Sequence, residues 1–192
     1  MAKKKSNLNN VNILLGVAGG IAAYKAVDLA SKLTAQGTKV TTVMTQAACR
    51  LIQPKSFEAV TASQVFTSLW TLPLNYKIEH VELAESADLV VVAPATANIL
   101  AKIANGICDD LLSTTLAACW KKPLLLAPAM NNNMWTNPAV QKNIKTLRQR
   151  NFQIIGPETG RLACGTEAIG RMAEPEKILK AIEKIVAKIK PK

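Results

Sequence analysis

The sequence predicts a single α/β domain built on an open, doubly wound parallel sheet of about five or six strands. Three observations carry this. The apolar runs at 11–17, 88–93 and 124–127 are short and continuous rather than alternating, as strands buried on both faces are. Segments between them place apolar residues at helical spacing. Several strand ends pass into Gly, Thr or Asn ahead of a helix, at the carboxyl edge where open parallel sheets hold their ligands.

Composition bounds the function. With 192 residues, 49% of them hydrophobic, the chain can bury one good core. The formal net charge of +11 would suit a nucleic-acid binder, so its location matters. Three of these charges are Lys3 to Lys5 and a net four fall in 175–192, which leaves +4 for the body. Charge gathered at the two ends solubilises a tail and a helix face, and no aromatic stacking motif accompanies it, so no nucleic-acid partner is expected. No apolar run approaches the roughly 20 residues of a membrane span, and residues 1–10 lack a signal-peptide core, so a cytoplasmic protein with no membrane partner is expected. Cys49, Cys108, Cys119 and Cys164 form no C-x-x-C pair and His80 is the sole histidine, so no metal site is expected. Cys49, Cys108 and Cys119 read as small apolar residues in or beside helices.

In chain order, residues 1–10 are a flexible basic tail and 11–190 the folded domain. The strand at 11–17 leads through Gly19, Gly20 and Ile21 into a helix over 21–36, with Ala22, Ala26, Ala30 and Leu33 at helical spacing and Gly37 as its stop. Strand, glycine turn and helix aim backbone amides at a phosphate. A tight turn that needs glycine for its backbone angles explains the same residues equally well. The strand at Lys39–Met44 is followed by Thr45 and Gln46, where a dinucleotide fold wants an acidic residue for the ribose hydroxyls. That favours a mononucleotide, with Thr45 either a hydroxyl donor to it or the cap of a helix at 46–52. Residues 54–76 are irregular: a short helix, then an excursion that covers the site or meets another subunit.

The strand at 88–93 passes through Pro94, Ala95, Thr96, Ala97 and Asn98 into helical stretches at 99–104 and 109–120. Thr96 and Asn98 stand where a hydroxyl and an amide can meet a cofactor, with helix capping as the other reading. The strand at 124–127 runs directly into Pro128, Ala129, Met130, Asn131, Asn132, Asn133, Met134 and Trp135. An amide donates and accepts, so Asn131 can hold a carboxylate or amide without adding charge, while Met130, Met134 and Trp135 supply a polarizable wall. An Asn-rich turn with methionine as core filler is the even alternative. A basic amphipathic helix at 138–150, a short strand at 152–155, a structureless glycine-rich loop at 156–175 of lid-like length, and a final amphipathic helix at 175–190 complete the domain. The arrangement is Rossmann-like or flavodoxin-like.

Three segments carry a resemblance to a known family. PAMNNNMW at 128–135 is similar to the PxMNxxMW signature of the flavin-containing cysteine decarboxylases. HVELAESADLVVVAP and PATANILAKIANGICDDLL resemble that family's central strand and flavin-binding stretch, and LACG followed by GRMAEP resembles its substrate-recognition flap. Within the family the likeness is greatest to the phosphopantothenoylcysteine decarboxylases of coenzyme A synthesis, and it covers about residues 11–178.

The resemblance implies FMN as cofactor, with Gly19, Gly20, Ile21, Thr45, Thr96, Ala97, Asn98 and Ala129 around it. It implies substrate contacts from Asn131, Met134, Arg161, Leu162 and Ala163, and catalytic roles for His80 as base, Asn131, and Cys164 as a late proton donor. The implied reaction converts 4'-phosphopantothenoylcysteine to 4'-phosphopantetheine: oxidation of the cysteine side chain to a thioaldehyde, loss of carbon dioxide, then reduction of the enethiolate. A homotrimer, or an assembly of trimers, with flavin bound where subunits meet is implied too, and bacterial relatives often carry a ligase domain after this point. The alternatives are a decarboxylase acting on a peptidyl cysteine and a non-catalytic flavin-binding regulatory subunit. Retention of His80, Asn131 and Cys164 together argues against the second. A flavin prenyltransferase on the same fold lacks both the PxMNxxMW pattern and the cysteine flap.

Overall fold

Each apolar run becomes a strand whose alternate side chains feed two separate cores. The computed structural model describes residues 8–70, 78–161, 163 and 165–189. Its strands β1 (Asn12–Val17), β2 (Lys39–Met44), β3 (Val65–Phe66), β4 (Leu89–Ala95), β5 (Leu124–Pro128) and β6 (Gln153–Ile154) form one parallel sheet in the order β3-β2-β1-β4-β5-β6. That is the Rossmann order, with its reversal point between β1 and β4.

Nine helices pack on the two faces: α1 (Ala23–Ala35), α2 (Gln46–Cys49), α3 (Pro54–Thr61), α4 (Glu79–Ser86), α5 (Ala97–Asn105), α6 (Leu111–Ala118), α7 (Asn132–Thr136), α8 (Pro138–Gln149) and α9 (Pro175–Ile189) among the described residues. Ile13, Leu15, Leu89, Val91 and Leu125 face α1, α3 and α9, through Leu29, Leu33, Phe57, Ile178 and Ile182. Their neighbours Leu14, Val90, Val92, Leu124 and Leu126 face α4, α5, α6 and α8, through Leu83, Leu100, Leu112, Leu116 and Leu147. Two-sided burial explains why the runs are continuous rather than alternating. Leu8, at the inner end of the tail, is fully buried in the first core, and the Asn10 N–H donates to Gly37 O. No helix among the described residues is long and apolar enough to cross a membrane.

Three elements differ from the sequence reading. β3 lies inside the irregular stretch 54–76, and a two-residue edge strand paired only through Thr42 to Val65 and Val43 to Phe66 is too short to show a period. The amide-rich segment after β5 forms a short helix, α7, capped by Asn131. The loop at 156–175 is an antiparallel hairpin of β7 (Glu158–Arg161) and β8 (Glu167–Arg171), not a structureless lid. Glycines at 160 and 170 interrupt both strand patterns and hid it.

One feature of the core is uncompensated. The Thr42 hydroxyl in β2 is fully buried and has no hydrogen-bond partner. Thr42→Val keeps the β-branched shape and removes the desolvated hydroxyl, so it is expected to add about 1 kcal/mol and raise the melting temperature by about 2–4 °C. A lower melting temperature would show that the hydroxyl is satisfied in solution.

Candidate functional site

The turns leaving β1, β2, β4 and β5 surround one cleft of about 1150 Å³ at the carboxyl edge of the sheet, and the β7–β8 hairpin closes its side. It lies at the reversal point, where the chain leaves β1 for α1 on one face and β4 for α5 on the other. The two exits are joined by the Ala18 N–H, which donates to Pro94 O at 3.3 Å. Ala129 N–H donates to Ala95 O at 3.1 Å and brings the exit of β5 alongside.

The floor of the cleft requires glycine. A Cβ added at Gly19 would stand 2.4 Å from Ala47 Cβ and 2.9 Å from its carbonyl carbon, so the first turn is drawn against the exit of β2 with no room for a side chain. Beyond it α1 begins at Ala22 with no side-chain cap and no acidic residue in its first turn, which leaves its positive end directed at the cleft. Thr45 and Thr96 both line the cleft and both cap helices, accepting from Ala48 N at 3.1 Å and Ile99 N at 3.4 Å. The two sequence readings of these threonines are therefore compatible, because a hydroxyl that accepts from an N–H can still donate its own proton.

Of the residues singled out from sequence, Gly19, Gly20, Ile21, Thr45, Thr96, Ala97, Asn98, Ala129, Asn131, Met134, Arg161 and Ala163 all line this cleft. Asn131 Oδ1 accepts from Asn133 N at 2.9 Å, which orients the amide at the start of α7. Trp135 departs from the expected wall: it packs against the core under α5 and α8. His80 is half-buried in the first turn of α4 and is not among the residues lining the cleft of its own chain. Around it Ile78 and Val81 are exposed. Leu162 and Cys164 lie outside the described residues. Burial raises the Cys49 thiol and pushes the Cys119 thiol up to about 11, so neither is primed as a thiolate, and Cys108 lies beside helices, between α5 and α6, where it is exposed.

Lys25, Lys102 and Arg171, the other cations of the cleft, were not singled out from sequence, because an ion pair leaves no periodic pattern. Lys102 Nζ lies 2.6 Å from both Asp109 Oδ1 and Asp110 Oδ2. Lys25 Nζ meets both oxygens of Glu174 at 2.9 and 3.0 Å, and Arg171 joins the same carboxylate. Arg161 forms no ion pair among the described residues, which makes it the cleft cation available to an anionic ligand.

The strand order, the reversal-point cleft and the glycine turn define an α/β protein of the nucleotide-binding class. The sequence profile described as Flavoprotein matches residues 1–187, and the chain belongs to that family. It is 48% identical over 177 residues to the coenzyme A biosynthesis bifunctional protein CoaBC of Bacillus subtilis (strain 168), an alignment that covers 92% of this chain and 43% of that protein. It is 43% identical over 166 residues to the CoaBC of Mycolicibacterium smegmatis (strain ATCC 700084 / mc(2)155), covering 86% of this chain and 39% of the relative. The chain thus spans less than half the length of these relatives. Among solved structures, a PPC decarboxylase mutant complexed with pantothenoylaminoethenethiol superposes with a TM-score of 0.85 at 32% identity, covering 92% of this chain and 98% of that one. The FMN-dependent cysteine decarboxylase SpaF superposes with a TM-score of 0.82 at 34% identity, covering 95% and 98%.

The Lys102 cluster gives a pH signature. Burial works against the Lys102 charge, but hydrogen bonds to Asp109 and Asp110 outweigh it and hold its pKa above the usual lysine value. The hydrogen bond from Lys102 in turn holds the Asp109 carboxyl below its usual range. The stability contributed by Lys102 is therefore complete below the unfolded lysine pKa and lost as pH rises through the higher folded one. That of Asp109 is present above the unfolded carboxyl pKa and lost as pH falls through the lower folded one. The melting-temperature difference between wild type and Lys102→Met is expected to be level from about pH 5 to 9 and to narrow above about pH 10. A gap that stays constant at high pH would mean that Lys102 contributes packing and not charge.

Proposed function

We propose that the chain is an FMN-dependent decarboxylase that converts 4'-phosphopantothenoylcysteine to 4'-phosphopantetheine in coenzyme A synthesis. The observation that carries the proposal is the meeting, in one cleft, of the glycine turn, Thr45, Thr96, Asn131 and the hairpin that bears Arg161. The cleft fits such a cofactor: its floor at Gly19 has no space for a Cβ, its apolar lining suits a flat ring, and its volume is ample for a cofactor and a small substrate together. The likeness to coenzyme A biosynthesis proteins at 39–48% identity supports the coenzyme A precursor over a peptide.

When bound, FMN supplies the electron sink and later the reductant that a saturated cysteine amide lacks. The chain's own residues bind, orient and move protons. The uncapped start of α1 and the Thr45 hydroxyl hold the cofactor phosphate and ribityl chain, and Thr96 to Asn98 with Ala129 border its ring. Asn131 Nδ2 holds the substrate carboxylate, and Arg161, Leu162 and Ala163 contact the substrate. His80 removes a proton as the side chain is oxidised. Cys164 returns one when the enethiolate is reduced.

His80 reaches a cleft by assembly. A homotrimer, alone or in larger assemblies, would let α4 of one copy border the cleft of the next, and the exposed Ile78 and Val81 beside His80 support a covered surface there. A cytoplasmic location accords with coenzyme A synthesis.

Mass analysis after incubation with 4'-phosphopantothenoylcysteine tests the proposal. The wild type is expected to give the saturated thiol, lighter than substrate by one carbon dioxide. Cys164→Ser is expected to release carbon dioxide yet accumulate a product two hydrogens lighter, because the later proton is missing. Unchanged substrate with FMN-loaded wild type would overturn the assignment. Saturated product at the wild-type rate from Cys164→Ser would remove that residue as donor.

A further inference from the structure

Lys25 is the only charged residue among the buried described residues, the other buried polar ones being Thr and Ser. Its ammonium meets both oxygens of Glu174, 149 positions away in sequence, at 2.9 and 3.0 Å. Glu174 stands between β8 and α9. Its backbone carbonyl accepts from Lys177 N at 2.9 Å and Ile178 N at 3.1 Å, so the first turn of α9 fixes where its carboxylate points. Arg171, the last residue of β8, donates to the same carboxylate. The foot of the hairpin is thereby tied to α1 and to the floor of the cleft.

A second tie lies across the cleft. The Met130 N–H donates to Gly170 O at 3.0 Å, and a Cβ on Gly170, at a φ of 148°, would come within 2.1 Å of Met130 O. The hairpin backbone is thus seated directly on the segment that continues into Asn131. The C-terminal end of the hairpin is thus held twice, through Glu174 to α1 and through Gly170 to Met130.

Burying an ion pair is a poor route to stability, since well-packed apolar residues of similar volume often serve as well or better. What such a pair supplies is registry, because a buried ammonium moved away from its carboxylate is left uncompensated, whereas apolar surfaces tolerate sliding. We propose that Lys25 and Glu174 are a positioning pair that locks the β7–β8 hairpin in register with Asn131, so that a substrate in the cleft meets both in one fixed arrangement. Its consequence for turnover rests on the decarboxylase reading above, whereas the locking itself does not.

Amide hydrogen exchange of the ligand-free protein tests the locking. Glu174→Gln and Lys25→Met are each expected to speed exchange at least about tenfold in peptides covering Met130 and 158–171, while β1 and β4 peptides stay as in wild type. The double variant Lys25→Met with Glu174→Gln leaves no buried charge unpaired and is expected to melt close to wild type, which keeps the test available if a single variant fails to fold. Its hairpin is expected to exchange no faster than in the faster single variant, because one contact is removed in all three. A folded double variant with wild-type hairpin exchange overturns the proposal, as do additive effects of the singles. With FMN-loaded protein, turnover of 4'-phosphopantothenoylcysteine by the double variant is expected to fall at least about tenfold while melting is unchanged. Unchanged turnover would show that the locked attitude does not matter to the reaction. If the wild type itself gives no turnover, the reading of the cleft fails while the exchange result still decides the locking.

Discussion

The reversal of connection between β1 and β4 is the constraint from which the site follows. The two strands are hydrogen-bonded neighbours, yet the chain leaves one upward into α1 and the other downward into α5, each helix covering its own core. The Gly19 contact with Ala47 and the Ala18 to Pro94 hydrogen bond set how closely the exits approach. The threonines that start α2 and α5 both line the resulting cleft, whose position is fixed by the sheet and not by the loops. A binding site placed in this way inherits the rigidity of six paired strands.

Charge is nearly balanced within that crevice. Lys102 is matched by Asp109 and Asp110, and Lys25 with Arg171 by Glu174, so most of the cationic side chains in the lining are already satisfied. The attraction left for an anionic ligand comes from the start of α1 and from Arg161. This accords with two negative groups held apart, one on a cofactor and one on a substrate, and not with a polyanion lying along a basic track. Membership of the Flavoprotein family and the likeness to CoaBC proteins lead to the same kind of ligand by an independent route.

The central strands were legible because burial on both faces writes a continuous apolar run, and the cleft residues were legible because they sit in the turns that directly follow those runs. Elements defined by tertiary contact were not. β3 and the hairpin owe their existence to partners elsewhere in the chain: β3 to Thr42 and Val43, β8 to β7 and to Met130. Lys25 reads in sequence as one more residue of an amphipathic helix, and nothing near it announces a carboxylate 149 positions later. Trp135 was assigned to the cleft wall from its neighbours, but the five-residue helix α7 turns it toward the core. The His80 role, by contrast, came from the family likeness alone, and a single chain does not bring it to the cleft lining.

The visible absorption spectrum of the purified protein, followed by mass analysis of the chromophore released on denaturation, tests the central claim most directly. The protein is expected to show the two-band absorption of an oxidised flavin, to release a chromophore with the mass of FMN rather than FAD, and to take up FMN stoichiometrically once stripped of it. A colourless protein that takes up no FMN, or that selects a dinucleotide in its place, would contradict it.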